Sequence, residues 1–396
     1  MTYEEMCAFE VLYKAYLSAR EGKRSKAGTA QYEANALACT DKLSRQLLNK
    51  TYTPSNFEIF YVYEPKKRLV QAPAFVDKVV LHAVTDNVLY DVITSSFIRD
   101  NYASQKEKGT HDGLMRLKQQ MVEYYRRVGS ADGWVLKCDV RKFFASIDHD
   151  ILKAKLRARF LRHGIDMQFY DLLCIYIDKT DGLPLGYQTS QLLALLFLDE
   201  FDHFIQEELG YRYYGRYMDD FRVIARTKEE LQRLLKEVER WMGDLRLELN
   251  EKTGIFPLRN GIDFLGFHTY LTETGGVVQK LRREKVNDIR ARVKYWKKAY
   301  PAGEVTKEAI IKGFEGWDAH AAHGDTYALR QKYAAKVGEI IGVEIKPHRK
   351  INSTNVVRAK RRLKQERCIR RKRGEALPQA APLRTVPLPD DVPPWM

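Results

Sequence analysis

Residues 210–225 read G-Y-R-Y-Y-G-R-Y-M-D-D-F-R-V-I-A, two adjacent aspartates between a tyrosine-rich arm and an apolar arm. The apolar arms on either side predict a β-hairpin over 211–225 whose turn is Met218 to Asp220. Carboxylates placed together at a hairpin tip repel each other, and nothing obvious in the sequence neutralises them. A fold that keeps them there expects a cation. Asp is also a common turn residue, so the surroundings decide whether the pair is chemistry or an ordinary polar turn.

Working outward, W-V-L-K-C-D-V (134–140) reads as a buried strand whose apolar run stops at Asp139. If that strand lies beside the hairpin, Asp139, Asp219 and Asp220 converge, and hard oxygen ligands suit Mg2+ or Mn2+. Thr189 and Ser190 are expected to cap a long, largely buried helix, Q-L-L-A-L-L-F-L-D-E-F-D-H-F-I-Q-E-E-L (191–209), and residues 229–242 form an amphipathic helix behind the hairpin. Upstream, residues 3–49 are helical with a polar interruption at 21–28. Residues 57–70 make two short strands around a basic turn, and 75–95 and 111–127 are helical again. Strand, helix, hairpin and helix in that order describe an antiparallel sheet with helices on one face, an α+β fold.

The chain has 396 residues, 44% of them apolar, enough to bury a sizeable core. The formal net charge of +15 is uneven. Residues 346–373 are crowded with lysine and arginine against the single acid Glu366, which makes this stretch an electrostatic handle for phosphates or an acidic partner. The residues after it are too proline-rich to fold alone. The cysteines are scattered without a C-x-x-C pair, as in a reduced, cytoplasmic protein. An acidic N-terminus and the lack of a long apolar run predict no signal peptide and no membrane span.

In chain order the sequence carries E-P-K-K-R-L-V-Q-A-P (64–73), F-I-R-D-N-Y-A-S-Q-K-E-K-G-T-H (97–111), L-K-C-D-V-R-K-F-F-A-S-I-D-H-D-I-L (136–152), G-L-P-L-G-Y-Q-T-S-Q (182–191), Y-M-D-D (217–220), L-N-E-K-T (249–253) and F-L-G-F (264–267). This succession resembles the blocks of a reverse transcriptase, over roughly residues 1–335. The resemblance implies a right-hand polymerase fold with N-terminal helices and fingers (1–135), a palm with some finger elements at 153–180 (136–275), a helical thumb (276–345) and a basic, then proline-rich tail (346–396). It implies an RNA-directed DNA polymerase whose partners are template RNA, the RNA/cDNA duplex and dNTPs.

By the same resemblance, Asp139, Val140, Asp219 and Asp220 hold two Mg2+ ions, with Mn2+ able to substitute. Phe144 matches the bulky position that stacks under the incoming sugar and collides with a 2'-hydroxyl. Phe143 is its core-facing neighbour, on the expectation that adjacent strand residues point to opposite faces. Arg68, with Lys66 or Lys67, matches the basic position that grips the triphosphate, where a guanidinium bonds oxygens in pairs. Leu185, Gly186, Gln191, Tyr217, Met218 and Lys252 complete the nucleotide site. Lys108, Gly109, Trp317, His320, Arg358, Lys360, Arg361 and Arg362 are expected to meet nucleic acid. Trp317, His320, His323 and Tyr327 fall at helical spacing, so one face is free to lie along a duplex.

Where most relatives read Q-G-x-x-x-S-P, this chain reads L-G-Y-Q-T-S-Q from Leu185 to Gln191. That form, with a K-R pair, N-K-T-Y-T-P and E-P-K-K-R near the N-terminus, resembles the reverse transcriptases of diversity-generating retroelements. Those enzymes copy a template-repeat RNA with errors at adenines and act with a small, basic, oligomeric accessory protein. Retron and defence-associated reverse transcriptases share the fingers and palm and copy a dedicated noncoding RNA in anti-phage immunity. A noncatalytic RNA-binding scaffold is the remaining alternative, against which stand the intact acids.

Overall fold

A computed structural model describes residues 1–63 and 67–348. Lys66, Arg358, Lys360, Arg361 and Arg362 therefore lie outside the described residues. The chain divides into two compact units, the first of residues 1–113 and 133–257, the second of 114–132 with the chain from 258 onward. That division falls at residue 257, inside the 136–275 stretch that the sequence reading assigns to a palm.

The first unit begins with short helices between Tyr3 and Leu48, followed by an isolated ribbon of β1 (Glu58–Val62) and β2 (Arg68–Ala72). Its centre is a four-stranded sheet of β3 (Trp134–Cys138), β4 (Tyr214–Tyr217), β5 (Asp220–Ala225) and β6 (Gly254–Pro257), in the antiparallel order β4-β5-β3-β6. The register pairs Leu136 with Val223 and Cys138 with Phe221. Because strand side chains alternate, Cys138, Phe221 and their apolar neighbours share one face, and Lys137 and Arg222 occupy the other. The helix Lys228–Asp244 buries Leu231, Leu234, Val238 and Met242. Its N-terminus is closed by a capping box, with Glu230 N donating to Thr227 Oγ1 at 3.2 Å and Thr227 N to Glu230 Oε2 at 3.1 Å.

The long helix expected after Ser190 differs in two respects. It starts at Gln188, so Thr189 and Ser190 are buried inside its first turn, and Tyr187 stands at the N-cap position without a side-chain bond. It also stops at Phe197, to be followed by the helix Asp199–His203 and a π-helical turn Phe204–Glu208. The cause is burial on all sides, which leaves an unbroken apolar run with no period to mark a break.

In the second unit, β7 (Ile262–Phe264), β8 (Phe267–Leu271) and β9 (Val277–Leu281) form an antiparallel sheet in chain order. Phe264 pairs with Phe267 across Leu265 and Gly266, whose φ angles of 50° and 85° are those of a type I′ turn. This is the physical content of F-L-G-F: a tight turn between two buried rings. The helices Arg283–Ala299, Lys307–Ala321 and Tyr327–Ile341 close a core that contains Ile289, Trp296, Phe314, Trp317 and Val337. No helix among the described residues is long and apolar enough to cross a membrane.

Candidate active site

The hairpin turn is tighter than expected. Tyr217 pairs with Asp220, leaving only Met218 and Asp219 in the loop, and Met218 takes a positive φ of 55°, uncommon for a residue with a side chain. On the neighbouring strand the pairing of Cys138 with Phe221 places Asp139 beside Asp220, one step further along. The L-N-E-K-T block explains how Asp139 is held. Asn250 N donates to Asp139 O at 2.7 Å, Asp139 N lies 3.5 Å from Thr253 Oγ1, and Val140 bridges to Leu249. Lys252 itself is exposed, its backbone N–H donating to Asn250 Oδ1 at 3.1 Å.

The acids are not wholly uncompensated, which corrects the sequence reading. Lys137, two residues before Asp139 and so on the same sheet face, places its Nζ 3.3 Å from Asp220 Oδ2. The period of two was the signal that should have found it. Burial, then the negative charge of Asp139, pushes the Asp219 carboxyl up to about 6. Burial likewise raises Asp220 to about 6, with Lys137 opposing and Asp139 adding to the rise. Asp220 Oδ1 is buried with no hydrogen-bond partner. Among the described residues no group of three or more His, Cys, Asp or Glu side chains closes on a common metal point. The acids thus fit a divalent cation by charge, by oxygen chemistry and by that orphaned oxygen, without a ready-made cage.

Phe143 and Phe144 lie in a 3-10 turn, Phe143–Ser146, so strand alternation is not what separates them. Phe143 is buried and Phe144 half-buried, with ring centroids 5.6 Å apart. The loop at 182–186 is wedged against this turn. Leu183 N donates to Phe144 O at 2.7 Å, and at Gly182, whose φ is 62°, a Cβ would meet that same oxygen at 2.5 Å. Gly186 presses on β2, where a Cβ would stand 2.2 Å from Gln71 O and 2.9 Å from Ala72 Cα. Leu185, half-buried, is thereby fixed between the ribbon and the Phe144 turn. Gly186→Ala is expected to lose about 1–3 kcal/mol of stability through forced backbone movement. A melting temperature equal to wild type would show that the close approach is not required.

The remaining residues are less gathered. Arg68 opens β2 and is exposed, and Lys67 Nζ sits 4.4 Å from the centre of the Tyr61 ring. Gln191 Oε1 accepts from Ser104 Oγ at 2.5 Å. Tyr217, half-buried in β4, borders the turn. Lys108 Nζ donates to Ile98 O at 3.2 Å and Asn101 O at 3.0 Å, which ties down its own loop just before Gly109. In the second unit, Trp317 is a core residue whose Nε1 donates to Lys285 O at 3.3 Å, and the His320 ring lies 5.0 Å from that of Phe267. The expected stripe is not one face, since its helix ends at Ala321 and Tyr327 begins the next. Sequence reasoning passed over Arg283, Arg290, Lys294 and Lys297, exposed on the helix Arg283–Ala299 at successive spacings of seven, four and three.

Acids on a hairpin tip and on the adjoining strand end, carried by an antiparallel sheet over helices, define the polymerase class. The model of the family "Reverse transcriptase (RNA-dependent DNA polymerase)" matches residues 64–269, more than half of the chain. The chain belongs to the reverse transcriptase family. Protein YkfC of Escherichia coli (strain K12) is 24% identical over 271 residues, 57% of this chain and 69% of that protein. Among solved structures, telomerase from Candida albicans with a TWJ fragment of telomeric RNA has a TM-score of 0.45 at 12% identity, over 73% of this chain and 55% of that one. Apo telomerase from Candida tropicalis has a TM-score of 0.44 at 11% identity, over 72% and 59%. The chain thus spans little more than half the length of these solved structures.

Proposed function

We propose that the protein copies a dedicated RNA into cDNA, with Asp139, Asp219 and Asp220 and the backbone of Val140 holding two Mg2+ ions. The observation that carries this is the register of β3 against β5, which sets Asp139 beside Asp220 and its orphaned oxygen. Bound ions would acidify a primer 3'-hydroxyl and neutralise the leaving pyrophosphate. The chain's own groups would do the rest: Arg68 binds the triphosphate, Phe144 supports the sugar and excludes a 2'-hydroxyl, and Leu185 lies against the templating pair. The basic stripe on Arg283–Ala299, together with the basic tail, would meet the phosphates of an RNA/cDNA duplex. Primer extension on an RNA template by purified protein, with and without EDTA, tests the reading. Absence of any metal-dependent product would end it.

The subfamily reading is the diversity-generating one, with errors at template adenines and a basic oligomeric accessory protein as partner. It rests on Leu185, where an apolar side chain replaces an amide able to check the nascent pair by hydrogen bonding. Leu185→Gln should lower errors opposite template adenine several-fold, since one hydrogen bond is worth about 0.5–1.5 kcal/mol net. Deep sequencing of cDNA from both forms reads this. Wild-type errors spread evenly over the template bases would favour the retron or defence-type enzyme.

A further inference from the structure

The guanidinium of Arg216 is fully buried, two residues from the turn that carries Asp219. Its three nitrogens are divided between two tasks. Nε and Nη2 donate to the Asp202 carboxylate at 2.6 and 2.5 Å, and Nη1 donates to the carbonyl oxygen of Met218 at 2.9 Å. Asp202, itself wholly buried in the helix Asp199–His203, also accepts from Tyr214 Oη at 2.5 Å and Asn101 Nδ2 at 3.3 Å. The backbone of Arg216 is committed too, its N–H to Asp100 O at 2.9 Å and its carbonyl to Tyr102 N at 3.0 Å.

Strand pairing sets Arg216 opposite Phe221, on the helix-facing side of the sheet, whereas Asp220 projects to the other side. Arg216 therefore reaches the turn from beneath, on the face opposite Asp220. A buried ion pair is a poor stabilising device, because desolvation offsets most of the attraction. What this one adds is direction. The Met218 carbonyl is pinned, and with it the peptide that leads into Asp219, in a turn whose positive φ at Met218 is otherwise unfavourable. Only a planar fork can bind a carboxylate with two nitrogens and offer a third to a carbonyl.

We infer that Arg216, anchored by Asp202, is a positioning residue that sets the Asp219 carboxylate for the metal ions. The inference rests on the polymerase reading above. The test uses the full chain and two variants, Arg216→Lys and Asp202→Asn, with melting and primer–template binding as controls for folding. Mn2+ affinity is read from the paramagnetic resonance of the free ion, beside kcat and the KM for dNTP. In Arg216→Lys the Mn2+ dissociation constant should rise about tenfold and kcat fall about 10- to 100-fold, the range for loss of a group that orients a metal ligand. KM and primer–template binding should stay at wild type. Asp202→Asn keeps the shape of the anchor and weakens its bonds to the guanidinium, so it should shift the same quantities the same way by about threefold, as for loss of one hydrogen bond's net worth. Unchanged Mn2+ affinity in a folded variant overturns the inference, as does a raised KM at constant kcat. So does activity lost only in proportion to folded protein in both variants. A wild-type protein without extension activity would strike the polymerase reading instead, leaving the Mn2+ comparison to judge Arg216.

Discussion

Asp139→Asn is expected to abolish DNA synthesis on a primed RNA template, by about 1,000-fold or more, while primer–template affinity stays within about twofold of wild type. The substitution keeps the size of the side chain and the backbone bonds to Asn250 and Thr253, so the strand end should stay in place. What it removes is one of the charges that a pair of divalent ions would share. A metal contributes several kcal/mol of charge stabilisation in the transition state, and about 4 kcal/mol corresponds to roughly 1,000-fold in rate. Binding is expected to persist because the proposed phosphate contacts would be made by basic groups elsewhere, such as Arg290 and Lys294. A second consequence is read in variant protein that melts as the wild type does, because unfolding would lower the same carboxyl by ending its burial. With Asp139 neutral, the repulsion that helps raise Asp219 is gone, so its carboxyl should titrate lower in the variant, measurable by carbon-detected NMR of labelled aspartate. Full activity of Asp139→Asn in Mg2+ or Mn2+ would remove Asp139 from the metal site.

What could be read in the sequence follows from how local each feature is. The hairpin at 214–225 was legible because its arms are short, apolar and joined through Met218–Asp219, and β3 because its run ends abruptly at Asp139. The amphipathic helix Lys228–Asp244 announced itself by its period, whereas the Thr227–Glu230 capping box that starts it was not read from the sequence. Features that depend on distant partners were not legible. Arg216 stands beside the acids in sequence and resembles a solvated basic residue, yet its partner Asp202 comes from another element and both are buried. Lys137 was hidden in an apolar strand, where a lone lysine reads as an interruption. The aromatic and histidine positions 317–327 failed for a different reason: the spacing is helical, but a turn at Ala322–Thr326 resets the phase. Gly182 and Gly186 were legible as a motif but not as a cause, since a missing Cβ matters only once Phe144 and Gln71 are known to stand opposite.

Phe144→Ala is expected to lower the selection of dNTP over rNTP by about 5- to 150-fold, because forcing extra atoms into a packed site costs about 1–3 kcal/mol and removal of the ring returns that difference to the ribonucleotide. The effect should fall on kcat/KM for rNTP, with dNTP insertion changed little. Two observations make Phe144, and not Phe143, the side chain to alter. Phe143 is buried in the main core, whereas Phe144 is only partly covered and meets Phe143 edge-on at 68°. Phe144 is also held from both directions along its backbone, by Leu183 N on its carbonyl and by the short turn that begins at Lys142 with φ 47°. The backbone that carries the ring is thereby kept from withdrawing it, and a clash is decisive only when the obstructing group is unable to move. Phe144→Tyr, which keeps the ring, should retain selection, and Phe144→Val should fall between the wild type and Ala. Single-nucleotide insertion with each dNTP and its matching rNTP gives the ratio directly. An unchanged ratio in Phe144→Ala, with insertion otherwise normal, would place the sugar filter on another side chain.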